Sequence, residues 1–395
     1  MPKDSLTLIL VLFLIVPGIY AQKGMPPKEQ TSVFHNTNYP QHLDFLPEMV
    51  NLLKVPEGWE VIIAASGLGK PRMLFIGPNG ELYVTRRAAG DVLMLKDDNG
   101  DHKFETVKTV VAEFKGVHGI TIKDGWLYLC NNNELRRYKL QADGTVGEKE
   151  ILFNDMPSGG QHPNRTMDFG PDGMLYISVG SLCNDCLGSD KETATLLQVD
   201  PKTWKRTIYA SGLRNTIGFD WHPQTGELWG IDNGGDSKGD NWPPEELNLI
   251  KEGRDYGFPF IYGKRVVDDS REDPPGTTKE MYAQKTEPSV LDLQAHMAPL
   301  AFQFFGKGSG IPMGYSGDAL ICWHGSWNSS NPVGFKVQRI KYNNGTATEA
   351  EDFLTGFLQG NTRFGRPAGL AITRTATVYV SDDANGVLYA IKPKM

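Results

Sequence analysis

One phrase recurs six times along this chain: a tight turn, in most copies carrying glycine, followed at once by an apolar and aromatic run. The copies read GPNGELYV, KDGWLYLC, GPDGMLYIS, QTGELWGID, SGDALICWH and ATVYVSDD, anchored on Leu82, Leu127, Leu175, Leu228, Leu320 and Val378. Successive anchors lie 45 to 58 residues apart, except for one interval of 92. After each turn apolar and polar residues alternate, the period-two signature of a strand with one buried face. A single small sheet cannot bury that face, whereas sheets of about four strands stacked around an axis cover one another and leave only short edges. Six copies of this size predict an all-β chain, a six-bladed β-propeller over residues 56–395. The long interval predicts a loop-rich insertion between the fourth and fifth repeats, over residues 236–287, a stretch rich in Pro, Gly and charge. The segment WEVIIAA ahead of the first copy can supply an outer strand to the last blade, and residues 22–55 read as a lead-in. A chance set of hairpins in a sandwich is the competing fold, and the regular spacing opposes it.

A formal charge of -7 without a Lys/Arg cluster excludes the concentrated basic footprint of a nucleic-acid-binding protein. Lys3, an apolar run over residues 6–16, then Pro17, Gly18 and Ala21 read as a signal peptide over residues 1–21. That run is shorter than the roughly 20 apolar residues of a membrane span. A secreted or periplasmic protein with no membrane span after cleavage is therefore expected. In an exported chain Cys183 and Cys186, in SLCNDC, are close enough to bridge. Cys130 and Cys322 stand in apolar strand-like runs and read equally well as free buried thiols or as a pair. Glycosylation sequons occur at Asn164, Asn328 and Asn344.

Loops at one end of a propeller converge on its axis, so polar residues just outside the repeated strands are candidates for one site. His162 and Arg165 precede the third repeat, and Arg214 and Asn215, in SGLRN, precede the fourth. Asn233, Gly234 and Gly235 follow the fourth, in DNGGD, and Arg363 and Arg366 precede the sixth. Arginines entering one cavity from different blades suit a polycarboxylate, because guanidinium stays charged and pairs with planar acceptors. An Asn-Gly-Gly turn can bring backbone carbonyls close to a cation. Each residue also has an ordinary reading: a packed His, an Arg paired with Asp220 or Asp382, a plain turn. Asp236, Asp240, Glu245 and Glu246 would cage a calcium ion directly only if they converge.

In this order, the segments resemble the soluble quinoprotein glucose/sorbosone dehydrogenase family over roughly residues 55–392. GGQHPNRTMDFGPDGMLYISVG resembles the family's His-containing strand, SGLRN its Arg-Asn cofactor loop, DNGGD with PPEELNLI its calcium loop, and GRPAGLAI its last arginine loop. AHMAPL at 295–300 and HGSWN at 324–328 resemble the sorbosone-type branch. The resemblance implies pyrroloquinoline quinone (PQQ) held through calcium, a small-molecule sugar or related polyol or aldehyde as substrate, and an electron acceptor that the sequence does not identify. It implies His162 as the general base on the sugar hydroxyl. It further implies Arg214, Asn215, Asn233, His296, Arg363 and Arg366 as cofactor contacts, with the backbone carbonyls of Gly234 and Gly235 on calcium. His118 and His324 fit pocket and packing roles equally. The base is expected to titrate near the unperturbed imidazole value of about 6.5, and the Asn164 sequon to stay bare, because a glycan there would crowd the mouth. The chain departs from the glucose-oxidising branch in three places: Gly235 stands where that branch has Pro, His162 and Arg165 are one residue closer, and no Lys meets the expected position near Asn331. Two other functions share the fold: a non-catalytic ligand-binding propeller, and a calcium-dependent lactonase with its metal held by Asp, Glu and Asn side chains.

Overall fold

The computed structural model describes residues 37–306 and 310–394. The expected signal peptide lies outside them, as does the start of the lead-in. The six repeat anchors open or adjoin the starts of six strands: Leu82–Arg86, Trp126–Cys130, Leu175–Val179, Leu228–Asp232, Ala319–Trp323 and Val378–Asp382. Each is the second strand of an antiparallel sheet of at least four strands. The first strands, Leu74–Ile76, Gly119–Lys123, Met167–Phe169, Thr216–Trp221, Pro299–Phe304 and Pro367–Ile372, precede them, across short turns in every sheet but the fifth, where residues 305–318 intervene. The turn in GPNG depends on Gly80, whose φ of 88° is in the left-handed region that a side chain resists.

Neighbouring sheets touch through these inner strands in chain order. The first strand of the sixth sheet in turn meets the first strand of the first. Every residue of four of the second strands is buried. The alternation expected for the repeats is therefore corrected: a sheet held between two others has both faces covered, as stacking requires, so its second strand is buried on both sides, polar residues such as Asp232 and Asp382 included. Solvent exposure is concentrated in the outer strands, such as Val146–Phe153.

Trp59–Ala65 pairs antiparallel with Val387–Pro393 and completes the sixth sheet. The Trp59 indole, 3% exposed, packs on Phe305, Tyr315 and Phe353 with ring centroids 6.2, 5.1 and 5.0 Å away. The two ends of the repeat array are thus tied to each other and to the fifth sheet. The lead-in lies on the body: Gln41–His42 pairs with Thr362–Arg363.

Residues 236–287 are not one uninterrupted insertion. Glu245–Ile250 is the third strand of the fourth sheet, and the fourth strand, Leu291–Leu293, follows only after a long excursion. Two glutamates make the strand look like loop, yet both are buried. The excursion carries Arg254–Asp255, which pairs parallel to Arg206–Ser211 of the third sheet, a small hairpin, and the helix Lys279–Ala283. Cys183 and Cys186 are bridged, whereas Cys130 and Cys322 are free and buried in different sheets. No helix among the described residues is long and apolar enough to cross a membrane.

Trp59→Ala empties a site shared by two sheets and should destabilise the fold by about 3–5 kcal/mol. Guanidinium unfolding checks this, and an unchanged midpoint would mean that the contact between the fifth and sixth sheets does not depend on the indole.

Candidate active site

In an antiparallel pair the residue entering the first strand and the residue leaving the second lie at the same end. Across the six sheets these junctions meet. His118 Nδ1 is 3.1 Å from the Arg165 carbonyl, Asn233 Nδ2 donates to the carbonyls of Asn215 and Pro299, and Arg366 Nε donates to the His324 carbonyl. A cavity of about 500 Å³ opens at the junctions of the third, fourth and fifth sheets. His162, Arg214, Asn215, Asn233, Gly234 and His296 line it, together with Asn184, Asp236, Glu245, Trp327 and Asn328. Six of the nine residues singled out from sequence are therefore gathered on one cavity.

His162 is held by its Nδ1, 2.8 Å from the Ser181 carbonyl and 2.9 Å from Ser181 Oγ. A carbonyl only accepts, so Nδ1 carries the proton and Nε2 keeps its lone pair. Burial first, and then the nearby Arg214 charge, push the imidazole pKa down to about 4. The expected value near 6.5 is thus corrected: at neutral pH this ring is an unprotonated base. Arg165 braces the same loop, donating to the carbonyls of Pro157, His162 and Asn164.

Arg214 is 3% exposed and held by four hydrogen bonds. Its Nε donates to the Asn184 carbonyl and its Nη2 to Asn184 Oδ1, both at 2.8 Å, while Nη1 reaches the Asn233 carbonyl at 3.2 Å and Nη2 reaches Asp236 at 3.4 Å. The turn beneath it is pinned by Asp232, whose carboxylate accepts the backbone N–H groups of Arg214 and Asn215 and the Thr216 hydroxyl. Burial pushes that carboxyl up to about 6.

Next to the Asn233 carbonyl that Arg214 meets, a Cβ at Gly234 would stand 2.7 Å from the Pro244 carbonyl oxygen and 2.9 Å from that of Pro243, so the close approach of backbone requires glycine. Glu245 accepts from the backbone of Gly234 at 2.8 Å and of Ala298 at 3.0 Å, and its burial pushes the carboxyl up to about 8. Asn328 donates to Asp236 at 2.8 Å, while its own buried Oδ1 has no partner. That buried side chain makes Asn328 a poor glycan acceptor, whereas Asn344 sits exposed in a hairpin turn. The acids do not converge on a cage: Asp240 bonds Ser330 and Glu246 bonds Gly263. Among the described residues the acidic cluster with metal-ligating spacing, Asp97, Asp101 and Glu105, is on the surface of the first sheet.

Gly235, Arg363 and Arg366 are not on the cavity wall. Arg363 lies 3.1 Å from His42 Nδ1, Arg366 Nη2 donates to the Gly325 carbonyl at 3.0 Å, and both arginines reach Tyr39 Oη at 3.4 Å. Both guanidiniums are thus turned toward the lead-in. Arg72 and Asp383, which no sequence motif marks, form an ion pair joined by His324. Despite burial, His324 and Arg72 hold the Asp383 carboxyl well below the usual carboxylate range. Arg72 enters a first strand and Asp383 leaves a second, so the positional rule that found Arg214 and Asn233 would have found them.

The family model described as TrAA12-like matches residues 53–394. The chain belongs to the TrAA12-like family of PQQ-dependent oxidoreductases. Among curated relatives, a PQQ-dependent sugar dehydrogenase of Hypocrea jecorina is 25% identical, with 85% of this chain and 88% of that protein aligned. An uncharacterized protein of Borreliella burgdorferi is 29% identical, over 87% and 92% respectively. Among solved structures, an AA12 enzyme of Trichoderma reesei superposes with a TM-score of 0.75 at 22% identity, over 87% of this chain and 98% of that one. The PQQ domain of Coprinopsis cinerea pyranose dehydrogenase gives 0.74 at 20%, over 90% and 98%. These likenesses place the TrAA12-like chain among propeller-like folds.

Selective imidazole labelling, with His162→Gln to assign the signal, should give a His162 midpoint near 4. The sign follows from burial and Arg214, both of which disfavour the charged ring, so Arg214→Ala should raise the midpoint toward about 6.5. A midpoint near 6.5 in the parent would contradict the buried, Arg-flanked placement.

Proposed function

We propose that this TrAA12-like chain is a PQQ- and calcium-dependent sugar dehydrogenase on a six-bladed propeller, with His162 as the general base. The observation that carries the reading is the His162 ring, tautomer fixed by Ser181, on a polar cavity that also presents Arg214 and Asn215. The fold part is supported by the chain of inter-sheet contacts and by the pairing of Trp59–Ala65 with Val387–Pro393. Export is supported by the Cys183–Cys186 bridge, since such bonds persist in oxidising compartments.

The cavity suits both groups. Its volume is within the range of small-molecule sites. Arg214 and Asn215 offer a cation and an amide to a polycarboxylate, the unpartnered Asn328 Oδ1 offers an acceptor, and the Gly234 cradle admits only bare backbone beside the Asp236 carboxylate. Asn215, Asn233, His296 and Arg214 are the proposed cofactor contacts on the wall. Arg363 and Arg366 supply positive charge from the lead-in side, and the carbonyls of Gly234 and Gly235 are the proposed calcium ligands. Bound there, PQQ would supply a hydride acceptor for the carbinol carbon of the sugar, and calcium would make that acceptor more electrophilic.

The protein's own part is proton handling and orientation. His162 Nε2 accepts the substrate hydroxyl proton, and the Ser181 carbonyl, already on Nδ1–H, stabilises the imidazolium that forms. Burial, and then the Arg214 charge, keep the resting ring unprotonated at neutral pH. Asn233 ties the fourth sheet to the fifth through two carbonyls, so the two walls move as one. The AHMAPL and HGSWN segments carry the sorbosone-type likeness, so ketoses and osones belong with aldoses among the substrates to be tried.

Purified protein loaded with PQQ and calcium should reduce a dye acceptor with at least one sugar of such a panel, and chelation should weaken PQQ binding. His162→Ala should lower turnover by about 10²- to 10⁴-fold while leaving PQQ affinity within a few-fold. Arg214→Ala should weaken PQQ binding first. Parental turnover in His162→Ala would remove the base from the mechanism, and equal PQQ affinity with and without chelator would remove calcium.

A further inference from the structure

The short loop closed by the Cys183–Cys186 bridge lines the cavity through Asn184. Between the bridged cysteines stand Asn184 and Asp185, which face opposite ways. Asn184 meets Arg214 twice, through its carbonyl at 2.8 Å and its Oδ1 at 2.8 Å, so the guanidinium is gripped side-on in a two-point fork. The same Oδ1 accepts the Asp236 backbone N–H at 2.8 Å, and Nδ2 donates to the Asp236 carbonyl at 3.0 Å. Asp185 is anchored outward, on Lys238 Nζ at 2.7 Å and Arg271 Nη1 at 2.9 Å. At the start of the loop the Ser181 hydroxyl donates to the Cys183 carbonyl at 2.7 Å, and Ser181 is the residue that holds His162.

We propose that Asn184 is a positioning residue, and that the Cys183–Cys186 bridge fixes its backbone so that Arg214 and Asp236 are held in place before any ligand arrives. The argument is one of donors and acceptors. Arg214 has one long contact to a carboxylate, 3.4 Å to Asp236, and its short bonds all go to neutral oxygens, two of them on Asn184. A buried guanidinium without these acceptors swings toward whatever oxygen or water it can reach, because leaving its N–H groups unsatisfied costs more than moving. A three-bond peptide span closed by a covalent bridge has few alternative conformations, so carbonyl and Oδ1 of Asn184 present themselves together. Asp185 keeps the loop from rotating as a unit by tying it to the excursion of the fourth sheet. This inference rests on the proposed function for its ligand, PQQ, but not for its geometry.

Two readouts separate it from a merely structural role. In the ligand-free protein, Asn184→Ala should raise the His162 titration midpoint, because Arg214 leaves its place beside the ring, while the thermal midpoint stays near parental. PQQ affinity, measured by titration in calcium, should fall about 10- to 100-fold, the loss expected for charge-assisted hydrogen bonds. Cys183→Ser with Cys186→Ser should move both readouts the same way and less far, and the exposed neighbour Leu187→Ala should move neither. Should Asn184→Ala fail to fold, Asn184→Ser carries the same measurements. A parental His162 midpoint and parental PQQ affinity in the Asn184 variant overturn the proposal. Parental values in the double Cys variant overturn the part given to the bridge. If the parent itself binds no PQQ, the proposed function fails, and the His162 midpoint alone still decides whether Asn184 positions Arg214.

Discussion

A sheet whose second strand is apolar on both faces can be buried only between two other sheets. That constraint governs the molecule. It forces the sheets side by side, places the start of every first strand beside the end of every second, and gathers those junctions at one end. The polar residues that the apolar strands exclude are collected there. The site is a by-product of how the cores are covered, and its residues need not be near one another in sequence.

The junctions are held by a device used more than once. The last residue of the second strand in the fourth sheet, Asp232, accepts backbone N–H groups from the turn that presents Arg214 and Asn215. Its counterpart in the sixth sheet, Asp382, accepts the backbone N–H of Arg366. In both, a buried carboxylate fixes the backbone of an arginine while leaving the guanidinium to be aimed by other groups. Arg214 is aimed by Asn184 and lies on the cavity; Arg366 is aimed by the carbonyls of the His324 loop and by Tyr39. The same backbone device thus serves two different directions of charge. Near His162, burial and then the Arg214 charge disfavour protonation, so the ring rests unprotonated at neutral pH.

The repeat positions, the outer strand supplied by Trp59–Ala65 and the Cys183–Cys186 pairing were legible in the sequence because each rests on local pattern. So were His162, Arg214, Asn215, Asn233, Gly234 and His296, which stand at the strand junctions that the repeats define. Glu245–Ile250 was hidden because burial of its two glutamates depends on partners, the backbone N–H groups of Gly234, Ala298 and Gly263, that are distant in sequence. The directions of Arg363 and Arg366 were hidden because they depend on Tyr39 and His42, more than three hundred residues earlier. The shifted basicity of His162 was hidden for a related reason: it comes from burial and from a guanidinium in the neighbouring sheet, and neither leaves a local trace.

The central claim is that the cavity brings a sugar, a base and a hydride acceptor together. Anaerobic mixing of the protein, loaded with one equivalent of PQQ and with calcium, against an excess of sugar tests it most directly, with the cofactor's absorbance as the readout. The account predicts reduction of the bound cofactor by at least one sugar, slowed several-fold when the carbinol carbon carries deuterium. A cofactor that binds tightly and stays oxidised with every aldose, ketose and osone tried would contradict it.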